Sequence, residues 1–172
     1  LDICRVAAGL HQDELPLAAL GEVGAKVLNT EIAANPSMLV GVSHGRTLLA
    51  AVEAIETVSA PGLRVLGMMG ALTRGAGANP HEVVSRLAER TGATATVLPV
   101  PFMANSAADR TVLIGQRDAA EAYAMAASCD LILVGIGTAV PQAELVTTGM
   151  VSSEEMAAIS QARGVGEILG HF

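Results

Sequence analysis

Short apolar runs alternate with Ala-rich helical stretches along this chain, and that alternation constrains its fold more than any other feature. The runs Ile3–Ala7, Met38–Val42, Leu63–Met68, Thr94–Pro99 and Leu131–Ile136 read as strands. Most are apolar at nearly every position, as expected of parallel strands covered on both faces. Between them, residues 16–34, 46–58, 80–91, 116–128 and 153–162 carry helical patterns. Asn79 then Pro80 reads as an N-cap and first helical position. Ser152 or Ser153 ahead of Glu154 and Glu155 opens the last helix with acids in its first turn. Strand–helix alternation of this kind predicts an α/β domain: a Rossmann-like, doubly wound, mostly parallel sheet flanked by helices. At 172 residues the chain suffices for one such domain.

Composition narrows the function. Half the residues (51%) are apolar, which excludes a disordered segment. Aromatic content is 2%, too little for base-stacking platforms. The net charge is −7, and no basic run stands ready to displace counterions from a duplex. Cys4 and Cys129 make no disulfide framework, and both read as ordinary thiols beside apolar runs. No run reaches membrane-spanning length, no signal-peptide layout opens the chain, and a reducing cytoplasm is the expected compartment. His11, His44, His81 and His171 have no metal-ligand spacing, and no GxSxG is present, so neither metal nor cofactor is expected.

In open α/β sheets, ligands bind beyond the carboxyl ends of the strands. The second strand exit reads Gly41-Val42-Ser43-His44-Gly45-Arg46-Thr47 and runs directly into a helix. Free N–H groups at a helix start attract anions, and Gly45 permits close backbone approach. Ser43 and Thr47 offer hydroxyls and Arg46 offers charge. A βα turn with a polar cap explains the same residues without a ligand. The third exit carries Met69, Gly70 and a glycine-rich loop to Asn79, either a ligand-closing loop or a flexible lead into a helix cap. Gly135 and Gly137 at the fifth exit suit close ligand approach or tight packing. Glu167, in an otherwise apolar tail, could accept from sugar hydroxyls or face solvent.

Four segments in order, LVGVSHGRTLLAAVEAI, NPHEVVSRLAERTGA, CDLILVGIGT and GMVSSEEMAAISQARGVGEILGHF, resemble the effector-binding domain of SorC-type, sugar-responsive bacterial transcription regulators. The deoxyribonucleoside regulator of bacilli and the central glycolytic gene regulator belong to that group. The resemblance covers nearly the whole chain. It implies a fold related to sugar-phosphate isomerases and deaminases, and a domain over 1–172 that binds a phosphorylated sugar. It further implies an N-terminal helix-turn-helix domain for operator DNA and a C-terminal part of this domain, both outside the sequence in hand. A homo-oligomer, dimer or tetramer, follows from the same resemblance, with no membrane partner. The phosphate would lie on the turn matching Ser43, His44, Gly45, Arg46 and Thr47. The sugar and loop positions would match Met69, Gly70, Asn79, Gly135, Gly137 and Glu167. Many members carry Trp or Gly at His44, and some a cation at Met69. No catalytic residue is assigned. The competing reading is an isomerase or deaminase on the same fold, but its usual lysine is missing from every strand exit: Lys26 lies within the first helical pattern.

Overall fold

A computed structural model describes residues 4–7, 9, 15–71 and 81–172. Helix α1 (Leu17–Ala34) precedes β1 (Leu39–Val42), α2 (Arg46–Ala54), β2 (Arg64–Gly67), α3 (Glu82–Thr91) and β3 (Thr94–Val97). Then follow α4 (Ala107–Ile114), α5 (Arg117–Ala127), β4 (Leu131–Leu133), α6 (Glu144–Thr147) and α7 (Ser153–Gln161). The four strands form one parallel sheet in the order β3-β2-β1-β4. The chain steps outward from β1 through β2 to β3, then returns to pair β4 on the other side of β1. That reversal makes the sheet doubly wound and opens a crevice between β1 and β4 at their carboxyl ends.

Burial follows position in the sheet. Every residue of β1 is buried, because β1 has a strand on each side and helices over it. Val40, Val42 and Val65 pack against Leu28 and Ile32 of α1, Val52 of α2 and Leu87 of α3. On the alternate face Gly41 leaves room for Met68 and Cys129: a Cβ there would come within 2.8 Å of the Met68 sulfur and 3.1 Å of the Cys129 sulfur. The edges are barer. β3 (Thr-Ala-Thr-Val) is mostly exposed, and Ile132 of β4 is 44% exposed. Apolar strands covered on both faces therefore describe the centre of this sheet and not its rims.

α1 lies directly on α2. A Cβ at Gly21 would stand 2.7 Å from the Ala50 carbonyl oxygen, and one at Gly24 would stand 2.6 Å from Ala51 Cβ. Two glycines on one helix face thus bring the two helices into near-backbone contact.

Several expected boundaries move. Cys4–Ala7 form no strand, and Val6 is 86% exposed; Ile3 lies outside the described residues. An apolar run becomes a strand only where a neighbouring backbone pairs with it, and both sides of β1 are taken by β2 and β4. The helix expected over 46–58 ends at Ala54. Ile55 is extended, and the N–H groups of Val58 and Ala60 donate instead to the carbonyls of Arg90 and Thr91 at the end of α3. The strand expected over Leu131–Ile136 stops at Leu133, where its β1 partner gives way to the turn at Ser43. Two helices went unforeseen. α4 is capped by Ser106, whose hydroxyl accepts from Asp109 N–H at 3.1 Å, and α6 is a single turn. The last helix is opened by Ser152, with Glu155 completing a capping box.

Candidate functional site

The crevice between β1 and β4 holds a cavity of about 390 Å³. One wall is the turn from β1 into α2. Gly45 is the N-cap of α2 with φ 145° and ψ 151°, a backbone conformation open to glycine and to almost nothing else. Being glycine, it offers no capping side chain, and among the described residues no side chain is found bonding the first amides of this helix. The first intrahelical bond runs from Leu49 N–H to the Gly45 carbonyl. The amides of Arg46, Thr47 and Leu48 thus lead out of the helix unsatisfied, at the positive end of its dipole. An oxyanion is the natural occupant of such a position.

Ser43 has a different task from its neighbours. It is buried, its N–H donates to Leu133 O at 2.9 Å, and its hydroxyl accepts from Gly135 N–H at 3.3 Å. The same hydroxyl lies 3.3 Å from the His44 carbonyl, to which it donates. Ser43 therefore clasps the carboxyl ends of β1 and β4 together across the crevice. Next to it, His44 Nδ1 is buried and finds no hydrogen-bond partner among the described residues.

The opposite wall comes from the chain beyond β4. Gly135, Ile136 and Gly137 line the cavity, and Gly137 pairs with Glu167 by two backbone hydrogen bonds of 2.8 and 3.0 Å. A Cβ on Gly137 would fall 2.7 Å from Glu167 Oε2, so the glycine leaves room for this carboxylate. The other carboxylate oxygen accepts from Gly170 N–H. That bond holds a tight two-residue turn in which Leu169 (φ 52°) and Gly170 (φ 81°) are both left-handed. Leu169 is an unusual residue for that conformation, and its side chain belongs to the cavity wall.

Nine of the residues expected from sequence meet around this one cavity: Ser43, His44, Gly45, Arg46, Thr47, Met69, Gly135, Gly137 and Glu167. Gly70 does not line it. A Cβ there would lie 2.1 Å from the Val100 carbonyl oxygen, so Gly70 serves the close approach of the chain after β2 to the chain after β3. Asn79 lies outside the described residues. The sequence reading missed Phe102, Gln142, Glu144 and Thr148, which also line the cavity. Glu144 ion-pairs with Arg46 across the cleft, Oε2 to Nε, at 4.0 Å. Polar residues in the otherwise apolar stretch 138–150 were the available signal. Lys26 stands on α1 with an exposed side chain and is no part of the cavity. Among the described residues no cluster of His, Cys, Asp and Glu could hold a metal ion, and no helix is long and apolar enough to cross a membrane.

Known proteins match this architecture. A family model for a sugar-binding domain matches residues 1–172. The erythritol catabolism regulatory protein EryD of Brucella abortus (strain 2308) is 47% identical over all 172 residues, which make up 54% of that protein. The chain thus spans about half the length of the curated relative it matches. Among solved structures, a DeoR family transcriptional regulator from Listeria monocytogenes superposes with a TM-score of 0.82 at 18% identity, over 95% of this chain and 64% of that one. The full-length sorbitol operon regulator SorC from Klebsiella pneumoniae gives 0.76 at 21% identity, over 89% of this chain and 50% of that one. At those identities the two structures speak for the fold. The family match over every residue and the near-half identity to EryD speak for descent: the chain belongs to the sugar-binding domain family, and the relatives that carry this domain are transcriptional regulators.

Proposed function

We propose that this chain is the effector-sensing domain of a cytoplasmic bacterial transcription regulator and that its effector is a phosphorylated sugar or polyol. One observation carries the reading: a helix N-terminus without a side-chain cap and the acidic residue Glu167 line the same cavity from opposite walls, at the point where the strand order reverses. The phosphate sits on the amides of Arg46, Thr47 and Leu48, with Gly45 giving access, Arg46 adding charge and Thr47 and His44 adding donors. The hydroxyls lie toward Gly135, Gly137 and Glu167, whose carboxylate accepts from them. Met69 and Phe102 supply apolar wall. Ser43 supports the site by joining β1 to β4 rather than by touching the phosphate.

In this reading the domain binds without turning its ligand over. Binding free energy that differs between two states of the regulator is what a sensor requires. Operator DNA is held by a separate helix-turn-helix domain, in keeping with the acidic charge here. The full protein works as a homo-oligomer, a dimer or a tetramer, and a further C-terminal part completes the domain.

The test is thermal stabilisation against erythritol, sorbitol, their phosphate esters, a panel of sugar phosphates and inorganic phosphate. Saturating a site at a hundredfold excess over Kd adds about 2.7 kcal/mol. A shift with one phosphate ester, larger than with its free polyol, is the expected result. A shift with the free polyol alone overturns the phosphate assignment. Turnover of the stabilising ester overturns the sensor reading in favour of an isomerase or deaminase.

A further inference from the structure

Among the described residues, Arg46 is the one Arg or Lys lining the cavity, and it is already paired. Its Nε lies 4.0 Å from Glu144 Oε2, with the two side chains 69% and 50% exposed. The pair spans the cleft from the first residue of α2 to the first residue of α6. At that length and exposure it is a loose, solvated contact, easily exchanged for a better one. Glu144 is therefore a carboxylate-bearing residue on the wall of the same cavity that the first residues of α2 line.

We infer that Glu144 is an internal stand-in for the ligand's phosphate and sets the charge a ligand must carry to take Arg46. This rests on the proposed phosphate position. In the empty site the carboxylate neutralises Arg46. A phosphate dianion at the amides of α2 attracts the guanidinium more strongly than a single carboxylate does, so Arg46 changes partner. Glu144 then remains on the wall of the cavity that holds the dianion and repels it. A neutral polyol leaves the Arg46–Glu144 pair in place. Glu144 thus makes the site weaker for phosphate than its other groups would allow, and it confines Arg46 to ligands that outbid a carboxylate. The ion pair between α2 and α6 is given up when such a ligand takes Arg46.

The test compares wild-type protein with Glu144→Gln, Arg46→Ala and the double variant by calorimetric titration at low salt, with inorganic phosphate and with erythritol as probes. Glu144→Gln is expected to bind phosphate about three- to tenfold more tightly, from the removal of one unit charge near a dianion. That gain shrinks as added salt shortens the Debye length. It is smaller in the Arg46→Ala background, where only the direct repulsion between Glu144 and the phosphate is left to remove, and a double-mutant cycle reads that coupling directly. Erythritol binding does not change. Phosphate affinity that is equal or lower in Glu144→Gln, while wild type binds phosphate, overturns the inference and leaves the phosphate site standing. Weaker erythritol binding in Glu144→Gln overturns it too, by making Glu144 a hydroxyl acceptor. Absence of phosphate binding in every protein overturns both this inference and the phosphate site on which it rests. A melting curve for each variant checks that it folds, and the exposure of both side chains predicts that it does.

Discussion

Gly45→Ala isolates the backbone from the side chains. An added Cβ at this position meets nothing within 4 Å, so sterics with neighbours contribute nothing. What remains is the conformation itself, φ 145° and ψ 151°, which L-residues avoid. Holding a non-glycine residue there costs about 1–3 kcal/mol. For a domain of this size 2 kcal/mol lowers the melting temperature by about 4–8 °C. The chain has one escape: the turn can relax to an ordinary φ, which recovers stability but turns the amides of α2 away from their present direction. The strain must then surface as a loss in phosphate affinity, about tenfold or more on the scale of lost charge-assisted hydrogen bonds. Gly92→Ala is the internal control. Gly92 has φ 69° after α3, also with open space around it, and stands away from the cavity. It is expected to lose about 1–2 kcal/mol with no effect on binding. The assay is a melting curve and a phosphate titration on each variant. A Gly45→Ala protein that melts with wild type and binds phosphate like wild type refutes the argument.

Three other changes probe the remaining walls. Ser43→Ala leaves the Gly135 N–H without its acceptor; the 3.3 Å distance places the cost near the lower end for such a loss, about 1 kcal/mol, readable by urea denaturation. Gly137→Ala pushes a methyl group toward Glu167 Oε2, a movable side-chain end, so stability falls by about 1 kcal/mol or less while polyol discrimination drops and inorganic phosphate binding holds; equal loss for both ligands contradicts this. Burial pushes the Cys129 thiol pKa up, and the Asp130 carboxylate adds to that, against opposing pulls from Arg64 and a backbone bond at Gly41. Because the folded value is the raised one, the contribution to stability is complete below the unfolded thiol value of about 8.5 and is lost as pH rises beyond it. Wild type should therefore show a downward slope in melting temperature above that pH that Cys129→Ala lacks. The exposed Cys4 should react with a thiol reagent before Cys129 does.

The sequence was most readable where one local rule decided the outcome. The run Gly41–Thr47 signals strand, tight turn and helix within seven positions, and its glycine sits where φ demands one. A helix start at Ser152 or Ser153 was visible for the same reason, and the structure takes Ser152. Reading failed where distant backbone made the decision. Cys4–Ala7 looks like a strand to any local rule, yet no sheet edge among the described residues pairs with it. The end of α2 is set by carbonyls at the end of α3, more than thirty positions away in sequence. The bond from Gly135 N–H to the Ser43 hydroxyl could not be read either, because it joins positions 92 apart in sequence. Glu144 and Phe102 escaped notice because neither stands at a strand exit; the fold alone carries them to the cavity.

The contact of α1 with α2 bears on how occupancy of the cavity could be felt elsewhere. At Gly21 and Gly24 the two helices meet almost main chain to main chain, with an Ala50 carbonyl and an Ala51 methyl as the opposing surface. Long side chains can change rotamer and absorb a small displacement. Glycine and alanine have no rotamers to change. A shift of α2 by a few tenths of an ångström, as Arg46 and its neighbouring amides close on an anion, is therefore handed on to α1 rather than dissipated. The helix whose N-terminus lines the cavity and the helix behind it form one stiff lever, with its working end in the cavity.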